Sequence, residues 1–218
     1  MSNVSSYRSV VGRSEGLYKD RGSKFIGYVF PVSSEDVVST YLEMIAREHP
    51  KARHLCYAYR LNPAGDLFRS NDDGEPSGTA GKPILNQIDA FTITNVLVIV
   101  VRYFGGKLLG VSGLIQAYKL CAQSALSHAT IQEHLVKSRY ILHFDYAIMG
   151  RLLDALSKFE VAIIERRLDA TPQIVFEVPL QSDQQRLDQI IASTLSLPLD
   201  MVAGKRMFDQ LSIEPLVP

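Results

Sequence analysis

The sequence predicts an α+β protein of two domains, and three observations carry that reading. Residues 96–101 (VLVIVV) are apolar at every position, the mark of a strand buried on both faces at the centre of a sheet. The hydrophobic period changes after residue 130 and the pattern of elements starts again. Residues 139–208 then read strand, helix, strand, strand, helix, strand, which is the βαββαβ order of the ferredoxin-like plan. A chain of 218 residues is long enough for one or two domains at about 150 residues each. The expected domains are 1–137 and 138–218.

The elements follow from local patterns. Residues 1–22 are polar with scattered glycine and read as irregular. Residues 24–32 (KFIGYVFPV) read as a strand. Ser33 or Ser34 is placed to cap a helix with Val38, Tyr41, Leu42 and Ile45 on one face, and Pro50 requires that helix to stop before it. Residues 55–61 (LCYAYRL) alternate as a half-buried strand. A turn at 62–66 (NPAGD) leads into a short strand at 67–70. A long loop, 71–83, precedes a helix at 84–90. The central strand spans 95–103. Ser112 is positioned to cap a helix over 113–128, with Leu114, Ala117, Tyr118, Cys121 and Ala125 on one side. In the second domain, strands are expected at 139–146, 161–168, 173–179 and 201–208. Helices are expected at 149–159 and 183–195, and the Pro-Leu-Val-Pro tail reads as frayed.

Composition narrows the function classes. Apolar residues make up 46% of the chain and charged residues 21%, ordinary values for a globular protein. Lysine plus arginine equals aspartate plus glutamate at 23 each, which argues against a wholly basic nucleic-acid binder. The small cationic excess lies in residues 1–137 and the anionic excess in the remainder. Cys56 and Cys121 sit in apolar stretches outside any CxxC pair and read as buried free thiols of a reducing compartment. The polar N-terminus lacks the apolar core of a secretion signal, and no run is long enough to span a bilayer. A cytoplasmic location without membrane attachment is expected.

Three stretches carry chemistry. The first, 71–83 (NDDGEPSGTAGKP), crowds Asp72, Asp73 and Glu75 together and carries Lys82 near its end; solvated loop, binding loop and divalent-metal site are all open readings. The second, 101–113 (VRYFGGKLLGVSG), runs from the end of the central strand into a helix, with Arg102, Tyr103, Gly105, Gly106, Lys107 and Gly110. Free N–H groups at a helix start beside two cations suit a phosphate or an RNA backbone. Its glycine spacing matches neither a dinucleotide fingerprint nor a phosphate-binding P-loop. Tyr103 and Phe104 read as core residues, with a base-stacking platform as the alternative. The third, 50–54 (PKARH), gathers two cations with His54, the best candidate for a group that titrates near neutral pH. The other four histidines have no partner that the sequence identifies. No catalytic nucleophile, metal set or cofactor motif stands out.

Arg53-His54, the segment 72–83 and the segment 101–110 together resemble the Impact/YigZ family, with Asn71 standing where serine is expected. The resemblance covers residues 15–130 as the family's N-terminal domain, and the rest as the second domain of bacterial members. It implies a first domain with the fold of ribosomal S5 domain 2, also seen in elongation factor G domain IV. It implies a second domain like elongation factor G domain V, in agreement with the βαββαβ reading. Eukaryotic relatives bind a ribosome-associated activator of a stress kinase with the help of an RWD domain that is not found in these 218 residues, so that role does not carry over. The expected function is a non-enzymatic RNA- or ribosome-binding protein in translation regulation. The alternatives are a protein-interaction module on the same surface, or a metal-assisted enzyme acting on a phosphorylated substrate.

Overall fold

The computed structural model describes residues 4–216 and divides into two compact units, one ending at His134 and the other beginning at Leu135. In the first unit, β2 (Ser14–Asp20), β3 (Ser23–Pro31), β4 (His54–Leu61), β5 (Leu67–Asn71) and β6 (Val96–Tyr103) form one antiparallel sheet in the order β2-β3-β6-β4-β5. As its unbroken apolar run requires, β6 is central. Helices α2 (Gly81–Phe91) and α3 (Gly110–Ser127) pack on one face of the sheet, and α1 (Glu35–Glu48) packs on the other. β1 (Ser6–Val11) pairs with β7 (Thr130–Leu135) in a separate two-stranded sheet.

Two strands therefore occupy residues read as irregular. β2 is an edge strand with half-exposed Leu17, and its place is set by backbone pairing with β3 rather than by apolar alternation. Gly16 within it lets α3 approach, because a Cβ there would lie 2.2 Å from the backbone nitrogen of Ala125.

Local capping signals work for α1 and fail for the other two helices. Ser34 caps α1 by accepting from the Val37 N–H, and Glu35 and Asp36 fill the first turn. Ser112, by contrast, lies inside the first turn of α3; Leu109 holds the cap position, and its side chain makes no capping bond. α2 begins at Gly81, three residues before the expected start, because its capping acceptor is Asp72, nine residues away.

The second unit is a five-stranded sheet in the order β11-β12-β8-β10-β9, with α4 (Met149–Lys158) and α5 (Asp183–Leu195) contributing to one core with it. Its strands are β8 (Lys137–Phe144), β9 (Ala162–Arg167), β10 (Gln173–Pro179), β11 (Met207–Phe208) and β12 (Leu211–Pro215). β8, β9, β10 and β12 give the ferredoxin-like order, with all pairings antiparallel. The expected last strand at 201–208 is corrected. Residues Leu199–Val202 form a helical turn, α6, and β12 supplies the fourth strand, with Leu211 and Ile213 buried in alternation. Met201 and Met207, apolar letters in the expected strand, are exposed. In the tail, Pro215 belongs to β12 and the Leu216 N–H donates to the Arg139 carbonyl, so these two residues are held; Val217 and Pro218 lie outside the described residues.

Candidate binding cleft

The site is assembled by the register of β6. Arg102 stands opposite Phe25 on β3 and His54 on β4, so residues distant in sequence meet at one end of the sheet. Alternation along the strand then separates neighbours. Arg102 faces α3, whereas Tyr103 faces α1, where its hydroxyl lies 2.9 Å from His49 Nδ1. Tyr103, expected at the site, belongs to the opposite face.

Arg102 is buried and paired. Its Nη1 donates to Glu75 Oε1 at 2.6 Å, and the same oxygen accepts from the Tyr118 hydroxyl at 2.8 Å. Behind Tyr118, Cys56 Sγ lies 3.3 Å from the phenol oxygen and 3.0 Å from the Asp72 carbonyl. Burial pushes both the Cys56 thiol and the Tyr118 phenol upward, so each keeps its proton and acts as a donor. The guanidinium carbon lies 5.4 Å from the ring centroid of Phe25 and 5.5 Å from that of Phe104. The one buried side-chain polar atom without a partner among the described residues is Arg102 Nε.

The acidic loop is scaffold. Asp72 accepts backbone N–H bonds from Gly78, Ala80 and Gly81 at 2.8–2.9 Å. Burial raises its carboxyl, but the bonds from Gly78, Gly81 and Ala80 outweigh it and hold the group below its usual range. Asp73 Oδ2 accepts from the Leu55 N–H at 2.6 Å, and its carbonyl accepts from His54 Nδ1 at 2.8 Å. The second bond requires the proton on Nδ1, since a carbonyl cannot donate. Among the described residues, no group of three His, Cys, Asp or Glu side chains is arranged to hold a metal ion.

In front of the pair is a cleft of ≈ 410 Å³. Arg53, His54, Glu75 and Arg102 are the polar part of its lining. Phe104, Leu108, Leu109, Val111 and Leu114 are the apolar part, with Pro76 and Gly110 completing the lining. Phe104, read as core, is 40% exposed, and Leu108 is 82% exposed. Of the other expected residues, Lys82 and Lys107 are exposed but outside the lining, and half-buried Asp72 and exposed Asp73 are outside it as well. Gly105 packs against Gly22, where a Cβ would come within 1.9 Å of backbone. Gly106 faces open space at φ +84. The apolar wall is the part that sequence reasoning missed, because an apolar letter in a glycine-rich loop looks the same whether it turns inward or outward.

Residues 21–126 match the Impact N-terminal domain, a span that contains every residue lining the cleft. IMPACT family member YvyE of Bacillus subtilis is 34% identical over 162 residues, 73% of this chain and 74% of its own length. The chain belongs to the IMPACT family. A further IMPACT relative, YigZ of Escherichia coli, is 36% identical over 126 residues, 57% of this chain and 62% of its own. Among solved structures, a crystal structure described as a hypothetical protein superposes with a TM-score of 0.73 at 26% identity, covering 98% of each chain. This likeness over nearly the whole length makes the two-unit α+β architecture a property of both chains. No helix of the described residues in this IMPACT chain is long and apolar enough to cross a membrane.

Proposed function

We propose that this IMPACT protein is a non-enzymatic RNA- or ribosome-binding protein that acts in translation regulation in the cytoplasm, with the surface around the cleft as its contact face. The observation that carries the reading is an imbalance of charge. All three acids of the loop are spent within the protein: Glu75 on Arg102, Asp72 and Asp73 on backbone N–H groups. Arg53 at the cleft and Lys107 on the loop beside it are exposed, and no acid is within ion-pair distance of either among the described residues. The face therefore offers cations to phosphate without the repulsion that three free carboxylates would bring. Phe104, half-exposed against the Arg102 guanidinium, adds a ring on which a base can stack.

The test is binding of purified ribosomes and of structured RNA at two salt concentrations, for the native chain and for Arg53→Glu/Lys107→Glu. Binding at low salt that falls steeply as salt rises, and that the variant loses, is the expected result. No binding at low salt, or equal binding by the variant, overturns the reading.

A second reading, a protein-interaction module, is favoured by Leu108 and Val111, which are 82% and 59% exposed beside the cations. Retention of the partner after nuclease treatment selects it.

A further inference from the structure

Arg102 offsets the charge of Glu75, yet only one of the two carboxylate oxygens is engaged. Oε1 accepts from both Arg102 and Tyr118, and Oε2 accepts from no side chain or backbone group among the described residues. Oε2 is not sealed, because Arg102 Nε is the one buried side-chain polar atom without a partner among them. The same elimination holds for His54 Nε2. The ring gives its Nδ1 proton to the Asp73 carbonyl, so in the neutral ring Nε2 is a bare acceptor. Both side chains line the cleft, and Nε2 lies 3.9 Å from Oε1. Two acceptors that reach solvent therefore stand side by side on largely buried side chains.

Charge and shape narrow what can donate to them. Arg53 and Arg102 outnumber Glu75 in the lining, which disfavours a cationic donor such as the side chain of arginine or lysine. The donors then belong to a neutral group. Phe104, 40% exposed in the same lining, offers a ring face to a planar one. The volume of ≈ 410 Å³ suits one nucleotide and excludes a duplex.

The four RNA bases differ at their Watson–Crick edges. Guanine presents two neighbouring donors, N1–H and the 2-amino group. Adenine and cytosine present one amino group beside a bare ring nitrogen, and uracil presents one N–H between two carbonyls. A ring nitrogen or carbonyl turned toward Oε2 or Nε2 sets acceptor against acceptor and leaves both without a bond.

We propose that the cleft receives an unpaired guanine of an RNA. Its N1–H and 2-amino group donate to Glu75 Oε2 and His54 Nε2, and the base lies on Phe104. The edge read here is the one that base pairing hides, so the guanine comes from a loop, a bulge or a single strand. This inference rests on the RNA reading and adds a base identity to it. Arg53 and Lys107 meet phosphate whatever the sequence, while Glu75 and His54 select the base.

The test uses the full chain at low salt and three fluorescent uridine oligonucleotides that carry a single central guanosine, adenosine or inosine. Inosine keeps N1–H and lacks the 2-amino group. Free GMP and the peptide amide acetyl-Gly-Arg-Gly serve as competitors. The guanosine RNA is expected to bind about tenfold more tightly than the adenosine RNA, with the inosine RNA between them. Glu75→Gln places an amide N–H where Oε2 stood and keeps an acceptor for Arg102, so the preference for guanosine is expected to vanish. His54→Ala is expected to bring guanosine and inosine closer together. Melting temperatures show that the variants are folded, and the three-RNA comparison on the native chain needs no variant. Equal binding of the three RNAs overturns the proposal, as does an unchanged preference in folded Glu75→Gln. Competition by GMP as strong as by the guanosine RNA overturns the RNA source and assigns the cleft to a free nucleotide. Stronger competition by the arginine peptide overturns the proposal in favour of a protein. Equal binding of the three RNAs that Arg53→Glu/Lys107→Glu abolishes removes the base assignment alone. No binding of any RNA or of ribosomes removes the RNA reading and this inference together.

Discussion

Glu75 Oε1 accepts from Arg102 Nη1 at 2.6 Å with both side chains less than a tenth exposed, so the loop and the central strand are joined by a buried ion pair. Removing one member strands the other charge. Arg102→Met is expected to cost about 3–5 kcal/mol in urea unfolding. Glu75→Gln is expected to cost less, since its amide oxygen still accepts from Arg102 and Tyr118. The double variant Glu75→Leu/Arg102→Met is expected to be more stable than the sum of its single substitutions, because no unpaired charge remains. Strict additivity would show that the pair is not coupled.

Asp72 ties the acidic loop to the start of α2 through three N–H groups. Asp72→Ala is expected to destabilise the chain by about 2 kcal/mol, the upper end of a lost helix cap, and Asp72→Asn by less. The Asp72 carboxyl is held below its ordinary value of 3.8, so the stability it contributes is present above that value and lost as pH falls below it. Unfolding of the native chain and of Asp72→Ala should therefore converge in acid.

His49 sits between two phenols, 2.7 Å from the Tyr28 hydroxyl at Nε2 and 2.9 Å from the Tyr103 hydroxyl at Nδ1. Burial is the main cause that lowers its pKa from 6.5. The unfolded chain therefore takes up this proton first. The contribution of His49 to stability is complete above 6.5 and declines as pH falls through the range below it. Melting temperatures from about pH 8 to about pH 5 should fall for the native chain and fall less for His49→Gln. Identical slopes would remove His49 as the cause.

Adjacent glycines at the site should respond differently to the same methyl group. In Gly105→Ala the new Cβ would come 1.9 Å from the Gly22 backbone, so the loop must move, at an expected cost of about 1–3 kcal/mol or more. In Gly106→Ala the Cβ meets nothing, and only the positive φ of +84 is strained, at about 1–2 kcal/mol. Thermal unfolding of the two variants beside the native chain checks both costs.

The sequence by itself determined the elements whose patterns are local. The apolar run of residues 96–101 is the central strand, a serine at 33 or 34 caps α1 (Ser34 in the structure), and Cys56 and Cys121 are buried thiols. The βαββαβ order of the second unit was readable from the spacing of its apolar runs, although its fourth strand was misplaced because Met201 and Met207 are exposed. The motif stretches and their family were legible for the same reason, being contiguous residues of unusual type. What only the tertiary structure decided is which side chains of those stretches meet. Strand alternation sends Arg102 to α3 and Tyr103 to α1, and neither letter reveals its face. The cap of α2 comes from Asp72 across a folded loop, and the partner of Arg102 is a glutamate 27 residues earlier. Burial and pairing are properties of residues brought together by the whole sheet, so the cleft, the Arg102–Glu75 pair and the exposed aliphatic side chains beside it exist only once the chain has folded.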